Sequence, residues 1–173
     1  MALFRGGKVK WFFLYQGLKL LNSPGTSGVV SADKAACHGC GICELVCSLS
    51  HNGACGPALS RIHVFRDPLA GEFSPETCKQ CRFPSCYYSC PAGAVEIDAD
   101  TGARVIEADK CEGCGLCAKA CLFNEQGTMI KHDPARGIYF KCDLCSSVHS
   151  QPLCVKACPW GALSYISSGK RLV

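Results

Sequence analysis

Four groups of four cysteines constrain this chain more than any other feature. They are Cys37, Cys40, Cys43 and Cys47; Cys78, Cys81, Cys86 and Cys90; Cys111, Cys114, Cys117 and Cys121; and Cys142, Cys145, Cys154 and Cys158. Only Cys55 stands outside them, completing 17 cysteines in 173 residues. An odd count fits a pure disulfide framework badly. Structural zinc takes its ligands in well-separated pairs, and a third cysteine at the same tight spacing suits it poorly. Leu, Ile, Val and Phe together number 40, a thin supply for an aliphatic core. Cysteine chemistry must supply part of the cohesion, and metal ligation is the explanation that remains.

The groups repeat. Groups one and three share the form C-x-G-C-G-[IL]-C-x3-C-x5-G, starting at Cys37 and Cys111. Groups two and four end in P-S-C-Y-Y-S-C-P and P-L-C-V-K-A-C-P, and group four carries the wider gap between its second and third cysteines. The chain therefore reads as a segment 1–30, a first half 31–108 and a second half 109–173. The i to i+4 spacing of Cys43–Cys47 and Cys117–Cys121 suits a helical turn. Hairpin signals lie between the groups. Arg61–Phe65 faces Gly71–Phe73 across Asp67-Pro68. Val95 and Ile97 face Val105 across Asp100-Thr101-Gly102, and Thr128–Lys131 faces Gly137–Phe140. Ala162–Ile166 faces Lys170–Val173 across Ser167-Ser168-Gly169.

C-x2-C-x2-C-x3-C is the bacterial ferredoxin run for a cubane [4Fe–4S] cluster. Gly39, Gly41, Gly113 and Gly115 let such loops adopt unusual backbone angles. The fourth cysteine of a run ligates the other cluster in two-cluster ferredoxins. Residues 33–166 resemble the four-cluster ferredoxin-type subunits of molybdenum and tungsten oxidoreductases, including the widened gaps of groups two and four. The resemblance implies an α+β fold of two ferredoxin-like modules, each with two clusters, loop-rich with short strands and helices. It implies pairing of group one with four and of two with three. One cluster then takes Cys37, Cys40, Cys43 and Cys158, and the next takes Cys142, Cys145, Cys154 and Cys47. A third takes Cys78, Cys81, Cys86 and Cys121, and the fourth Cys111, Cys114, Cys117 and Cys90. Ser48 and Leu122 replace the proline of the simple ferredoxin run, whereas Pro91 and Pro159 keep it.

Within that family, the length and the short basic-aromatic N-terminus are similar to the small iron–sulfur subunit of tungsten-containing, ATP-independent (class II) benzoyl-CoA reductase; the equivalent subunit of an aldehyde oxidoreductase or another molybdenum or tungsten enzyme, and a free soluble polyferredoxin, are the alternatives. The resemblance implies a larger tungstopterin catalytic partner of the aldehyde oxidoreductase family and a further electron-donating subunit or ferredoxin. The chain itself shows no Walker loop, dinucleotide fingerprint or haem motif, so no catalytic residue is expected in it. A net charge of +4 is too mild and scattered for nucleic acid. Four oxidised cubanes with their thiolates add about −8, leaving roughly −4, so the basic residues read as compensation for cluster charge. No apolar run is long enough to cross a membrane, and no secretory signal is evident. The chain is expected in the cytoplasm.

Other residues carry weaker expectations. Trp11, Phe12, Phe13 and Tyr15 suggest an apolar docking segment. Tyr87, Tyr88 and Trp160 adjoin cluster cysteines and are expected to shield them. Cys55 reads as a small buried thiol. His38 lies within a cluster loop, and the remaining histidines read as surface residues.

Overall fold

The computed structural model describes residues 27–146 and 151–168. The docking segment expected near Trp11 lies outside them. Eight short strands form four two-stranded antiparallel ladders. They are β1 (Val29–Ala32), β2 (Ile62–Asp67), β3 (Glu72–Thr77), β4 (Val95–Ile97), β5 (Arg104–Ile106), β6 (Ile130–Asp133), β7 (Ile138–Lys141) and β8 (Leu163–Ile166). Four helices lie between them: α1 (Ile42–Asn52), α2 (Ser85–Tyr88), α3 (Leu116–Ala120) and α4 (Leu153–Ala157). This is the expected small α+β arrangement.

Three hairpins use one local device, D-x3-G. The Asp67 carboxylate accepts the N–H groups of Leu69 and Ala70, both at 3.0 Å. Asp98 accepts Thr101 N–H at 2.7 Å, and Asp133 accepts Ala135 N–H at 3.0 Å. Each loop leaves through a glycine with positive φ, namely Gly71, Gly102 and Gly137. Aspartate mimics a backbone turn and glycine supplies the left-handed residue. The pairs β2–β3, β4–β5 and β6–β7 follow directly.

A fourth pairing lies beyond those expectations. The hairpin expected between 162–166 and 170–173 reaches outside the described residues. β8 pairs with β1, Val29 opposite Ile166 and Ala32 opposite Leu163. The two ends of the described chain are thus clasped together. A second difference concerns α1, which runs for 11 residues where the cysteine spacing asks for one turn. Gly53 closes it in the left-handed conformation, its N–H donating to Leu49 O at 2.9 Å.

Two apolar cores form. One joins Val30, Ile62, Val64, Leu144 and Leu163 with Cys43, Cys47, Cys142 and Cys154. The other joins Ala94, Val95, Met129 and Ile130 with Cys86, Cys90 and Cys117. Each draws on both halves of the repeat. Thiols stand where a larger protein would place aliphatic side chains.

Candidate metal centres

Cysteines of different groups are brought together across the chain. One cavity is lined by Cys37, Cys40, Cys43 and Cys158, with Val64, Trp160 and Leu163 in its wall. Another is lined by Cys78, Cys81, Cys86 and Cys121, with Phe83, Met129 and Ile130. In a third place Cys47 lies within electrostatic reach of Cys154 and Cys145, and Cys142 of Cys154. In the fourth, Cys117 lies within reach of Cys90, Cys111 and Cys114. Each of the two cavities combines three thiols of one group with one thiol of a distant group.

The loops between paired cysteines share a left-handed residue. Gly39 and Gly113 take φ of 67°, and Gln80 and Leu144 occupy the same place in groups two and four with φ of 47° and 61°. The turn directs backbone N–H groups at sulfur: Gly39 N–H lies 3.5 Å from Cys37 Sγ, and Gln80 N–H 3.5 Å from Cys78 Sγ. Further N–H donors reach Cys90 from Ala94 at 3.2 Å and Cys111 from Tyr139 at 3.4 Å. Such hydrogen bonds to cluster sulfur tune potential.

Burial holds several of the thiols in their protonated form. Burial raises Cys43 from 9.0 to about 12, with Glu44 adding to the rise, and burial raises Cys86 to about 12. Cys117 and Cys145 rise to about 11, again through burial. Clustered buried thiols are poorly stable as free thiolates, and a metal centre supplies the missing positive charge. Sulfur-only donor sets of four suit iron–sulfur clusters, so the residues fit the group.

Cys47 is the exception, and its cause corrects the histidine expectation. Burial raises its pKa, but hydrogen bonds from His51 and from the Arg61 N–H, the latter at 3.3 Å, bring it below the ordinary value. His51 is no surface residue. Its Nε2 pairs with Asp143 at 3.2 Å, and Arg61 Nη1 donates to Asp143 at 2.6 Å. Burial opposes the charge on His51, yet Asp143 and Cys47 hold its pKa up at about 9. The signal was present as the i, i+4 pair Cys47–His51, one turn apart on α1. Buried charges were missed as well: Glu44, which accepts Val64 N–H at 3.1 Å and pairs with Arg66, and also Arg104 and Lys141.

Cys55 is exposed, against the expectation of a buried thiol. It follows the Gly53 helix stop, where the chain runs outward. His38 stacks on Trp160 with centroids 4.2 Å apart. Trp160 lines the first cavity yet is 53% exposed, so it covers that site only partly. Tyr87 packs beside the second core, in keeping with a shielding role.

Residues 69–168 match the family model described as a 4Fe-4S dicluster domain. The chain is 38% identical over 130 residues to the aliphatic sulfonate oxidoreductase, polyferredoxin-like subunit, of Pyrococcus furiosus, covering 75% of this chain and 69% of that one. It is 38% identical over 141 residues to the NADH-dependent phenylglyoxylate dehydrogenase subunit beta of Aromatoleum evansii, covering 80% of this chain but 30% of that longer protein. A solved structure titled active site complex BamBC of benzoyl coenzyme A reductase, with 1,5-dienoyl-CoA, matches with a TM-score of 0.48 and 27% identity over 84% of this chain and 77% of that one. Four cysteine groups in a short α+β frame, with these relatives, define an iron–sulfur electron-transfer subunit of oxidoreductases. The chain belongs to the 4Fe-4S dicluster ferredoxin family, and its cofactors are [4Fe–4S] clusters, for four of which the 17 cysteines suffice. Among the described residues no helix is long and apolar enough to cross a membrane.

Proposed function

We propose that this chain relays electrons singly along a line of four clusters, to or from a tungstopterin catalytic subunit of the aldehyde oxidoreductase family. Cys37, Cys40, Cys43 and Cys158 hold the first cluster; Cys142, Cys145, Cys154 and Cys47 hold the second. Cys78, Cys81, Cys86 and Cys121 hold the third; Cys111, Cys114, Cys117 and Cys90 hold the fourth. The clusters supply reversible one-electron chemistry when bound.

One observation carries the linear order. Thiols of neighbouring sets lie within electrostatic reach in series: Cys43 of Cys154, Cys142 of Cys78, and Cys86 of Cys117. Cys40 and Cys114, one in each terminal set, are exposed, whereas Cys142, Cys145, Cys154 and Cys86 in the middle are buried. Electrons enter at one exposed end and leave at the other. The polypeptide ligates, spaces and insulates, and its N–H groups and charges set the potentials.

The chemistry on substrate belongs to the partner. By resemblance to its small iron–sulfur subunit, we read the complex as a benzoyl-CoA reductase that reduces the aromatic ring to a dienoyl-CoA during anaerobic aromatic degradation in the cytoplasm. A second reading is favoured by the sulfonate oxidoreductase relative: the same relay serving an aldehyde or sulfonate oxidoreductase. Native co-purification from the source organism separates them. The first reading expects a larger subunit with tungsten, dienoyl-CoA formation from benzoyl-CoA, and about 16 iron and 16 sulfide per copy of this chain. A partner active only on aldehydes or sulfonates moves the assignment to the second reading. Zinc without acid-labile sulfide overturns the relay itself.

A further inference from the structure

The wall between the second and third sets carries a buried cation. Lys141 ends β7 and is 2% exposed. Its ammonium donates to the Arg104 carbonyl and, at 2.9 Å, to the Cys142 carbonyl. It lines the cavity of the third set together with Cys78 and Cys86, and lies within electrostatic reach of both and of Cys142. Cys78 and Cys86 belong to the third set, Cys142 to the second. Among the described residues no carboxylate lies within ion-pair distance of this ammonium. A buried charge needs an opposite charge close by, and sulfur is the anionic matter it faces. Internal duplication does not explain it. The equivalent residue before group two is Thr77, whose hydroxyl donates to Val30 O at 3.3 Å.

We propose that Lys141 is a fixed positive charge shared by the second and third cluster sites, and that it makes the middle of the relay a store for two electrons. The inference rests on the ligand sets given under Proposed function. A low-potential one-electron donor adds one negative charge to each site it reduces. No bond breaks and no proton moves. Two neighbouring sites so charged repel each other, and a cation between them offsets that repulsion strongly in a low-dielectric interior. The terminal sets, with exposed Cys40 and Cys114, are screened by water instead. Gln80 secures the arrangement. Its side-chain amide donates to the same Cys142 carbonyl at 2.8 Å and accepts Arg104 N–H at 2.8 Å, so one carbonyl that holds the ammonium is pinned directly and the residue that carries the other is held through its N–H.

The test is a redox titration followed by electron paramagnetic resonance, on the full chain with its clusters loaded. In Lys141→Gln, two of the four clusters shift toward the oxidised form by about tenfold in equilibrium constant, or about 59 mV. The other two stay in place, and Lys141→Arg restores the wild-type pattern. Unchanged potentials, or an equal shift of all four, overturn the proposal. Should Lys141→Gln fail to load, the wild type decides. The first two electrons must then give a spin-coupled signal from neighbouring clusters, and two magnetically isolated signals overturn the proposal. Iron and sulfide content of the wild type tests the ligand sets separately, so failure of that assignment is distinguishable from failure of the lysine.

Discussion

The loops of groups one and three turn on glycine, whereas those of groups two and four make the same turn on residues with side chains. Gly39 and Gly113 have no alternative. A Cβ at Gly113 would lie 2.2 Å from the Gly137 carbonyl oxygen, and one at Gly39 would lie 2.4 Å from the Phe73 ring. Gln80 and Leu144 accept a left-handed backbone that costs about 1–2 kcal/mol outside glycine. Their side chains explain why. Gln80 bridges Cys142 and Arg104 with two buried hydrogen bonds, and Leu144 is packed in the first core. One half of the repeat has spent its turn residue on close approach. The other has used it to tie the inner sets to the rest of the fold.

Substitutions can break this comparison. Gly113→Ala should have the largest effect, because the clash is with backbone that cannot swing aside. We expect loss of one cluster, with iron falling from about 16 toward about 12 per chain; full iron would show that the loop is not tight. Leu144→Gly relaxes the backbone but empties a core position, where loss of a large aliphatic side chain costs about 2–5 kcal/mol. Net destabilisation of about 2 kcal/mol is expected in denaturant unfolding of the loaded protein. A gain in stability would mean that strain, not packing, dominates there. Gln80→Gly should cost less, about 1 kcal/mol, as relief of strain partly offsets two unsatisfied buried groups; unfolding of the same preparation reads it.

The smallest effect concerns pH, and it sharpens the comparison by being common to both loop types. Cys43 follows a glycine loop and Cys86 a side-chain loop, yet burial raises both to about 12. A raised thiol keeps its proton to higher pH, and ligation must remove it. Reconstitution of the cluster-free chain at limiting iron should therefore improve severalfold from pH 7 to pH 9, in sets of both loop types. A response confined to one pair of sets would show that the loops differ electronically.

Much of this was legible in the cysteine spacing. The thiol groups, their duplication and three hairpins are local patterns, and D-x3-G turns depend on five residues at a time. The remainder depends on residues brought together from far apart. Lys141 reads as an ordinary polar end to a strand until Cys78 is placed beside it. His51 reads as a surface residue until Asp143, in another group, arrives to pair with it. The β1–β8 ladder joins segments with nearly the whole described chain between them, and no local signal marks it. Cys55 misled for the opposite reason. Thiols are usually buried, but a helix stop placed this one outside.

That same ladder carries a consequence for biosynthesis. A chain made from its N-terminus presents β1 and the first cysteine group early, yet neither finds its partner until Leu163–Ile166 has left the ribosome. Groups two and three, by contrast, are close in sequence and can meet well before then. Assembly should run from the inside outward, with the outer thiols waiting longest in the open. The nascent protein is thus most vulnerable to oxygen in its first cysteine group, and iron and sulfide for the sets that join groups one and four must arrive after group four has emerged.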